Sequence, residues 1–245
     1  MLKYFKNSLL LFSLSFAIFA CKNKTKQVAT ESADTVAYEA ETVPAKKVEV
    51  PLPTFPSTAN KIEDLIPQFY EIDLEADGDL NGDGVDDKAL VLINTKDTTG
   101  VRTALVLLKQ DNAYSVNTIS HMAVDPKYRE DGYKIYDYEE IAIDSGKLVV
   151  RIQATGPSGT IESEYKYINN ELVLTNVRTF NMGAGGQTEI EFDVLKGIYE
   201  QTDINTMKED MPSTTTTKKY KIPKVLFKDS DPSYIMIKAY EKAGN

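Results

Sequence analysis

Period-two alternation organises the second half of the chain. Leu148, Val150 and Ile152 alternate with Val149, Arg151 and Gln153. Ile161, Ser163, Tyr165 and Tyr167 share one side of a second segment, with Glu162, Glu164 and Lys166 on the other. Ile190, Phe192 and Val194 lie opposite a row of acids. Side chains of a strand point alternately to its two faces, so each stretch predicts a half-buried strand. Turn residues punctuate them: Asp144-Ser145-Gly146-Lys147, Gly156-Pro157-Ser158-Gly159, Asn169-Asn170, Gly183-Ala184-Gly185-Gly186 and Lys196-Gly197. Asparagine tolerates positive φ, so Asn169-Asn170 predicts a tight hairpin. The return strand runs over 172–180 and a further strand over 198–202.

The first half differs. Residues 89–93 and 103–108 are almost continuously apolar. Such short runs predict strands buried on both faces, hence central in their sheet. Residues 69–74 and 114–119 complete a meander around them. Residues 60–66 predict a short helix, with Asn60 as cap, Glu63 in the capping-box position and Pro67 as terminator. Ser213 to Thr217 is a polar tract, and Tyr234-Ile235-Met236-Ile237 predicts a segment docked on the sheet. The fold class that follows is an all-β antiparallel domain over 58–245 with one short N-terminal helix, arranged as a propeller-like meander or a two-sheet sandwich.

Residues 1–20 are expected to be a signal peptide. Lys3 and Lys6 precede a twelve-residue apolar stretch that is too short for an ordinary transmembrane helix. The only cysteine, Cys21, follows directly. Ile18-Phe19-Ala20-Cys21 resembles a bacterial lipobox, although Phe19 replaces the usual small residue. The resemblance implies that Cys21 becomes the lipidated first residue of the mature protein. A plain signal peptide and an N-terminal anchor are the alternatives. Lipidation would remove the one thiol, and with it disulfide and thiol chemistry.

Residues 21–57, poor in large apolar side chains, predict a disordered tether spanning about 35 Å as a coil. The basic run Lys22-Asn23-Lys24-Thr25-Lys26 lacks acids beside the anchor. In a diderm bacterium this points to an outer-membrane lipid anchor with the domain facing the periplasm. Loss of Lys3 and Lys6 makes the remainder two charges more negative than the −9 of the whole chain. That acidity argues against nucleic acid as a partner.

The chemistry concentrates in Asp79-Leu80-Asn81-Gly82-Asp83-Gly84-Val85-Asp86-Asp87. Calcium takes six to eight oxygens at about 2.3–2.6 Å. Asp79, Asn81 and Asp83 fill loop positions 1, 3 and 5. Gly84 follows at the sharp turn, Val85 offers its carbonyl, and Asp87 stands at position 9. Position 12, a bidentate glutamate in an EF-hand, is Leu90 inside a strand, so no EF-hand forms. The pattern D-x-N-x-D-G-x-x-D ahead of a strand resembles the calcium loops of FG-GAP/VCBS repeats, as in integrin-type propellers. The resemblance implies one structural calcium ion held by Asp79, Asn81, Asp83, the Val85 carbonyl and Asp87. An Asx- and Gly-rich turn that binds nothing is the competing reading. The loop and lipobox together also resemble small exported lipoproteins with an antiparallel β domain, a likeness that implies no defined activity.

No catalytic set emerges, and the chain is expected not to be an enzyme. His121 is the only histidine and is expected on a loop or edge. Tyr128, Tyr133, Tyr136 and Tyr138 form an aromatic cluster that is expected to pack at an edge. The acid pairs Glu139/Glu140 and Glu189/Glu191 would serve an envelope hydrolase only if two carboxyls faced each other across a cleft at about 5–9.5 Å. The glycines at 183–186 precede an acidic strand rather than a helix, which favours a hairpin over a phosphate loop. The function expected is a lipid-anchored envelope protein, binding or structural, with an envelope protein or glycan as partner.

Overall fold

A computed structural model describes residues 52–155 and 159–244. The leader, Cys21, most of the tether and most of the 156–159 turn therefore lie outside the described residues. Twelve strands form two antiparallel sheets. The smaller contains β1 (Thr58–Ala59), β2 (Tyr70–Gly78), β3 (Asp87–Asn94), β4 (Thr103–Gln110) and β5 (Ala113–Ser120), in the order β1-β5-β4-β3-β2. The larger contains β6 (Tyr136–Asp144), β7 (Lys147–Ala154), β8 (Thr160–Ile168), β9 (Glu171–Gly183), β10 (Gly186–Asp193), β11 (Ile198–Asn205) and β12 (Ser213–Lys219) in sequential order. Of the two arrangements weighed, the pair of packed sheets is the one realised.

The apolar runs behave as their composition requires. β3 and β4 occupy inner positions of the smaller sheet. Ala89, Val91, Ala104 and Val106 face the core shared with the larger sheet. Leu90, Leu92, Leu105 and Leu107 face the opposite way, into a second cluster closed by Leu65, Ile62 and Phe55. The chain thus already packs at Phe55, within the stretch expected to be tether. The helix there is a single 3-10 turn, Ile62–Leu65. Its cap is Lys61, which makes no side-chain capping bond, in place of Asn60.

Two further segments differ from expectation. The tract Ser213–Lys219 is a strand, exposed along almost its whole length at the edge of the larger sheet. Threonine is β-branched and favours extended backbone even without burial. The C-terminal apolar stretch is helical: α1 spans Pro232–Ala239, with the Asp231 carboxylate accepting from Tyr234 N–H and proline in the first turn. Met236 and Ala239 bury one side of it in the main core.

The hairpins follow the turn chemistry. Asn169 and Asn170 take φ of 52° and 64°, the left-handed pair of a tight primed turn. Register carries a consequence that no single segment reveals. Glu140, Arg151, Glu162, Arg178, Glu191 and Glu200 are opposed one to the next across β6–β11. Arg151 bridges Glu140 and Glu162, and Arg178 bridges Glu162, Glu164 and Glu191. Opposite charges directly across a sheet stabilise it by a few tenths to about 1 kcal/mol each.

The two sheets approach closely where β2 ends. A Cβ added at Gly78 would lie 2.8 Å from Ile143 Cγ2 on β6 and 3.0 Å from the Ile143 carbonyl oxygen. Gly78→Ala is therefore expected to destabilise the domain by about 1–3 kcal/mol through overpacking. Chemical denaturation of the variant beside the wild type measures this.

Candidate functional site

The loop between β2 and β3 is closed by its own side chains. Asp79 Oδ1 accepts from the N–H groups of Gly82 (2.8 Å) and Asp83 (3.1 Å), and Oδ2 from that of Gly84 (2.9 Å). Asn81 Oδ1 accepts from Asp83 N–H at 2.9 Å, and Asp83 Oδ1 from Val85 N–H at 2.8 Å. Asn81 Nδ2 donates to Asp83 Oδ2 at 2.9 Å. Gly82 and Gly84 take φ of +82° and +84°, a conformation in which a Cβ is strained. The sequence D-x-N-x-D-G is thus sufficient to wind the loop.

Asp87 stands apart. It is wholly buried and both of its oxygens are used. Oδ2 accepts from Leu80 and Asn81 N–H at 3.1 and 3.3 Å, and Oδ1 from Lys109 N–H at 3.0 Å. It joins the start of the loop to the end of β4. Leu80, between Asp79 and Asn81, is buried in the inter-sheet core. Loss of water around Asp87, and the nearby Asp83 charge, push its carboxyl above the ordinary 3.8 despite the three N–H donors.

The donor set suits a hard cation, being all oxygen. A carboxylate has about four acceptor sites, so none of the three aspartates is saturated by the bonds it accepts. Among the described residues no lysine or arginine pairs with Asp79, Asp83 or Asp87. Among those residues, too, no three acidic, imidazole or thiol groups gather as a metal-binding group. Asp79, Asn81, Asp83 and Val85 share the exposed loop, and Asp87 lies beneath it against the backbone.

The remaining candidates separate. His121 sits beside the end of β5, half-buried, with Nδ1 3.1 Å from Thr103 Oγ1. Tyr133 and Tyr138 are exposed, whereas the Tyr136 hydroxyl donates to Asp125. Glu139 and Glu140 project to opposite sides of β6: Glu139 onto buried Arg102, Glu140 onto Arg151 of the outer face. Glu189 and Glu191 share the outer face with the charge ladder. Residues 183–186 form the β9–β10 hairpin.

One polar centre was not anticipated. Arg102 has no exposed surface and reaches Asp73 at 2.8 Å, Glu139, and the Asp125 carbonyl at 2.7 Å. Lys127 also pairs with Asp73. Asp73 falls in a register shift of β2 between Ile72 and Leu74, and such bulges re-aim side chains. The sequence signal was a charge set between apolar neighbours at Ile72-Asp73-Leu74, and an arginine just ahead of the apolar run at 103–108.

No protein-family model matches the chain, and no curated protein and no solved structure matches it.

Burial lowers the pKa of His121 below its ordinary 6.5. The folded state therefore binds this proton more weakly than the unfolded chain. The stability His121 contributes is fully present above pH 6.5 and is lost as pH falls through that value toward the lower folded pKa. With one histidine in the chain the effect is assignable. The imidazole titration followed by NMR is expected to have its midpoint below 6.5, and His121→Gln to flatten the stability profile between pH 7 and 5.5.

Proposed function

We propose that this chain is an exported protein held to a membrane by lipid on Cys21, with a β domain that calcium stabilises at residues 79–87 and that binds another component of the cell envelope. The observation that carries the calcium reading is the pair Asp79 and Asp83 with Asn81 around one turn, without a basic partner, anchored from below by buried Asp87 and Leu80. Asp79, Asn81, Asp83 and the Val85 carbonyl would hold the ion. Asp87 stands at the ninth position, which in calcium loops of this spacing often acts through water. When bound, the ion would supply positive charge beside the carboxylates of Asp79 and Asp83.

The role is structural. The loop begins where β2 approaches β6 and is bonded to the end of β4, so fixing it fixes how an edge of the smaller sheet meets the larger. The lipid reading is supported by the placement of Cys21 directly after the apolar leader. Among the described residues no helix is long and apolar enough to cross a membrane.

Calcium that binds only the folded state raises stability by about 2.7 kcal/mol at a free concentration one hundred times Kd. Thermal melts in calcium and in chelator are expected to differ by several degrees for the wild type and to coincide for Asp83→Ala. Coincident wild-type melts would remove the calcium reading. Separately, Cys21→Ser is expected to move the protein from the detergent phase to the aqueous phase in detergent partitioning. An unchanged distribution would remove the lipid reading alone.

A further inference from the structure

The inner face of the larger sheet is built in transverse rows whose character changes toward one end. Val150, Ser163, Val177, Phe192 and Tyr199 are directly opposed across β7–β11, and all are buried. Two positions further along each strand, the row is Ile152, Ile161, Thr179, Ile190 and Gln201. Two positions further again, Asn181, Thr188 and Asp203 are opposed in turn. The face thus grades from apolar to polar. Helix α1 and the π-helical turn Tyr240–Gly244 after it stand over the graded rows and supply Ser233, Met236, Ile237 and Tyr240 as a facing wall. Between the wall and the rows lies a cavity of about 570 Å³, within the roughly 300–1,000 Å³ of small-molecule sites.

The hydrogen bonds inside this cleft decide what it offers. Gln201 Nε2 donates to both oxygens of Asp203, at 3.1 and 3.0 Å, and Gln201 Oε1 accepts the Tyr199 hydroxyl at 2.7 Å. Thr188 Oγ1 donates to Asp203 Oδ1 at 3.0 Å. At the inner end the Tyr136 hydroxyl donates to Asp125, as does Ser233 Oγ at 3.4 Å. Each of these donors is spent within the protein, while the hydroxyls of Thr160, Thr179 and Tyr240 also line the cleft, and the Asp203 carboxylate, with about four acceptor sites and three accepted bonds, keeps one to offer. Among the described residues no lysine or arginine lines the cleft, and Asp203 is the one carboxylate there. The carboxylate beside an apolar lining favours an occupant that is apolar along its body and a hydrogen-bond donor, preferably cationic, at its head. A primary ammonium carries three donors and no acceptor. A carboxylate or phosphate would meet the like charge of Asp203 and, among the described residues of the lining, no basic side chain.

The geometry points to a binding site for a small molecule with an apolar body and a primary ammonium group, the ammonium seated on Asp203 and the body between Ile190 and the Met236–Ile237 side of α1. This proposal stands independently of the calcium and lipid readings. It needs only the larger sheet and its helix.

The test uses the whole chain and three probes that share one body: octylammonium, octanol and octanoate, titrated by calorimetry. Asp203 and Ile237 are both exposed, so Asp203→Asn and Ile237→Trp are expected to melt close to the wild type. Octylammonium is expected to bind saturably and about tenfold more tightly than octanol, the gain of a charge-assisted hydrogen bond, with octanoate weakest. Asp203→Asn is expected to erase the preference for the amine, and Ile237→Trp to weaken all three by filling the cleft. Equal affinity for the three probes, a preference for octanoate, an amine preference that survives Asp203→Asn, or no saturable binding of any probe would each overturn the proposal.

Discussion

A carboxylate with no exposed surface normally carries a large desolvation cost, and Asp87 meets it with three backbone N–H donors from two separate places in the chain. Two of those donors belong to the loop that begins at Asp79, and the third to the far end of β4. The side chain therefore sets where the β2–β3 connection begins its turn and ties it to a strand that is not its hairpin partner. Leu80, held between the bonded N–H groups, is driven into the inter-sheet core at the same point. Tyr167 of the larger sheet lies near enough that burial, with the Asp87 charge, holds its hydroxyl well above the usual phenol range. The loop closes on its own side chains above this anchor, which holds the Leu80 and Asn81 backbone from which it winds.

A second polar centre does comparable work at the opposite end of β2. Arg102 gathers Asp73, Glu139 and the Asp125 carbonyl, and Asp125 in turn accepts from Tyr136 and Ser233. The chain of contacts runs from the smaller sheet through the β5–β6 connection to the larger sheet and on to α1. Buried ion pairs are weak evidence for net stability, because desolvation offsets much of their attraction. Their geometry is nonetheless demanding, and here it reaches the helix through the hydrogen bond from Ser233 Oγ to Asp125 at 3.4 Å, beside the core packing of Met236 and Ala239.

The parts of the fold that were legible in the sequence are those set by local chemistry. The double-faced burial of β3 and β4 follows from uninterrupted apolar runs, and the Asn169-Asn170 hairpin follows from the tolerance of asparagine for positive φ. The helix α1 was missed because Tyr234-Ile235-Met236-Ile237 is apolar in sequence without interruption, so neither period shows. Only Asp231-Pro232 signals a helix start. The strand β12 was missed because an edge position requires no apolar face. At the loop, the side chains predicted to act together do share one turn, apart from Asp87, whose inward orientation depends on Lys109, far off in sequence. The Arg102 cluster and the graded rows of the cleft depend on register between distant strands, and no local pattern encodes register across five hairpins.

Amide hydrogen exchange through the β2–β3 connection, measured with calcium and then with chelator, reads out whether an ion clasps the loop. The protected donors are already identified: Leu80, Asn81, Gly82, Asp83, Gly84, Val85 and, at a distance, Lys109. A loop clasped by the ion is expected to show slowed exchange in calcium for the whole set, Lys109 included, because Asp87 joins them. Exchange rates that are the same in calcium and in chelator would contradict the account.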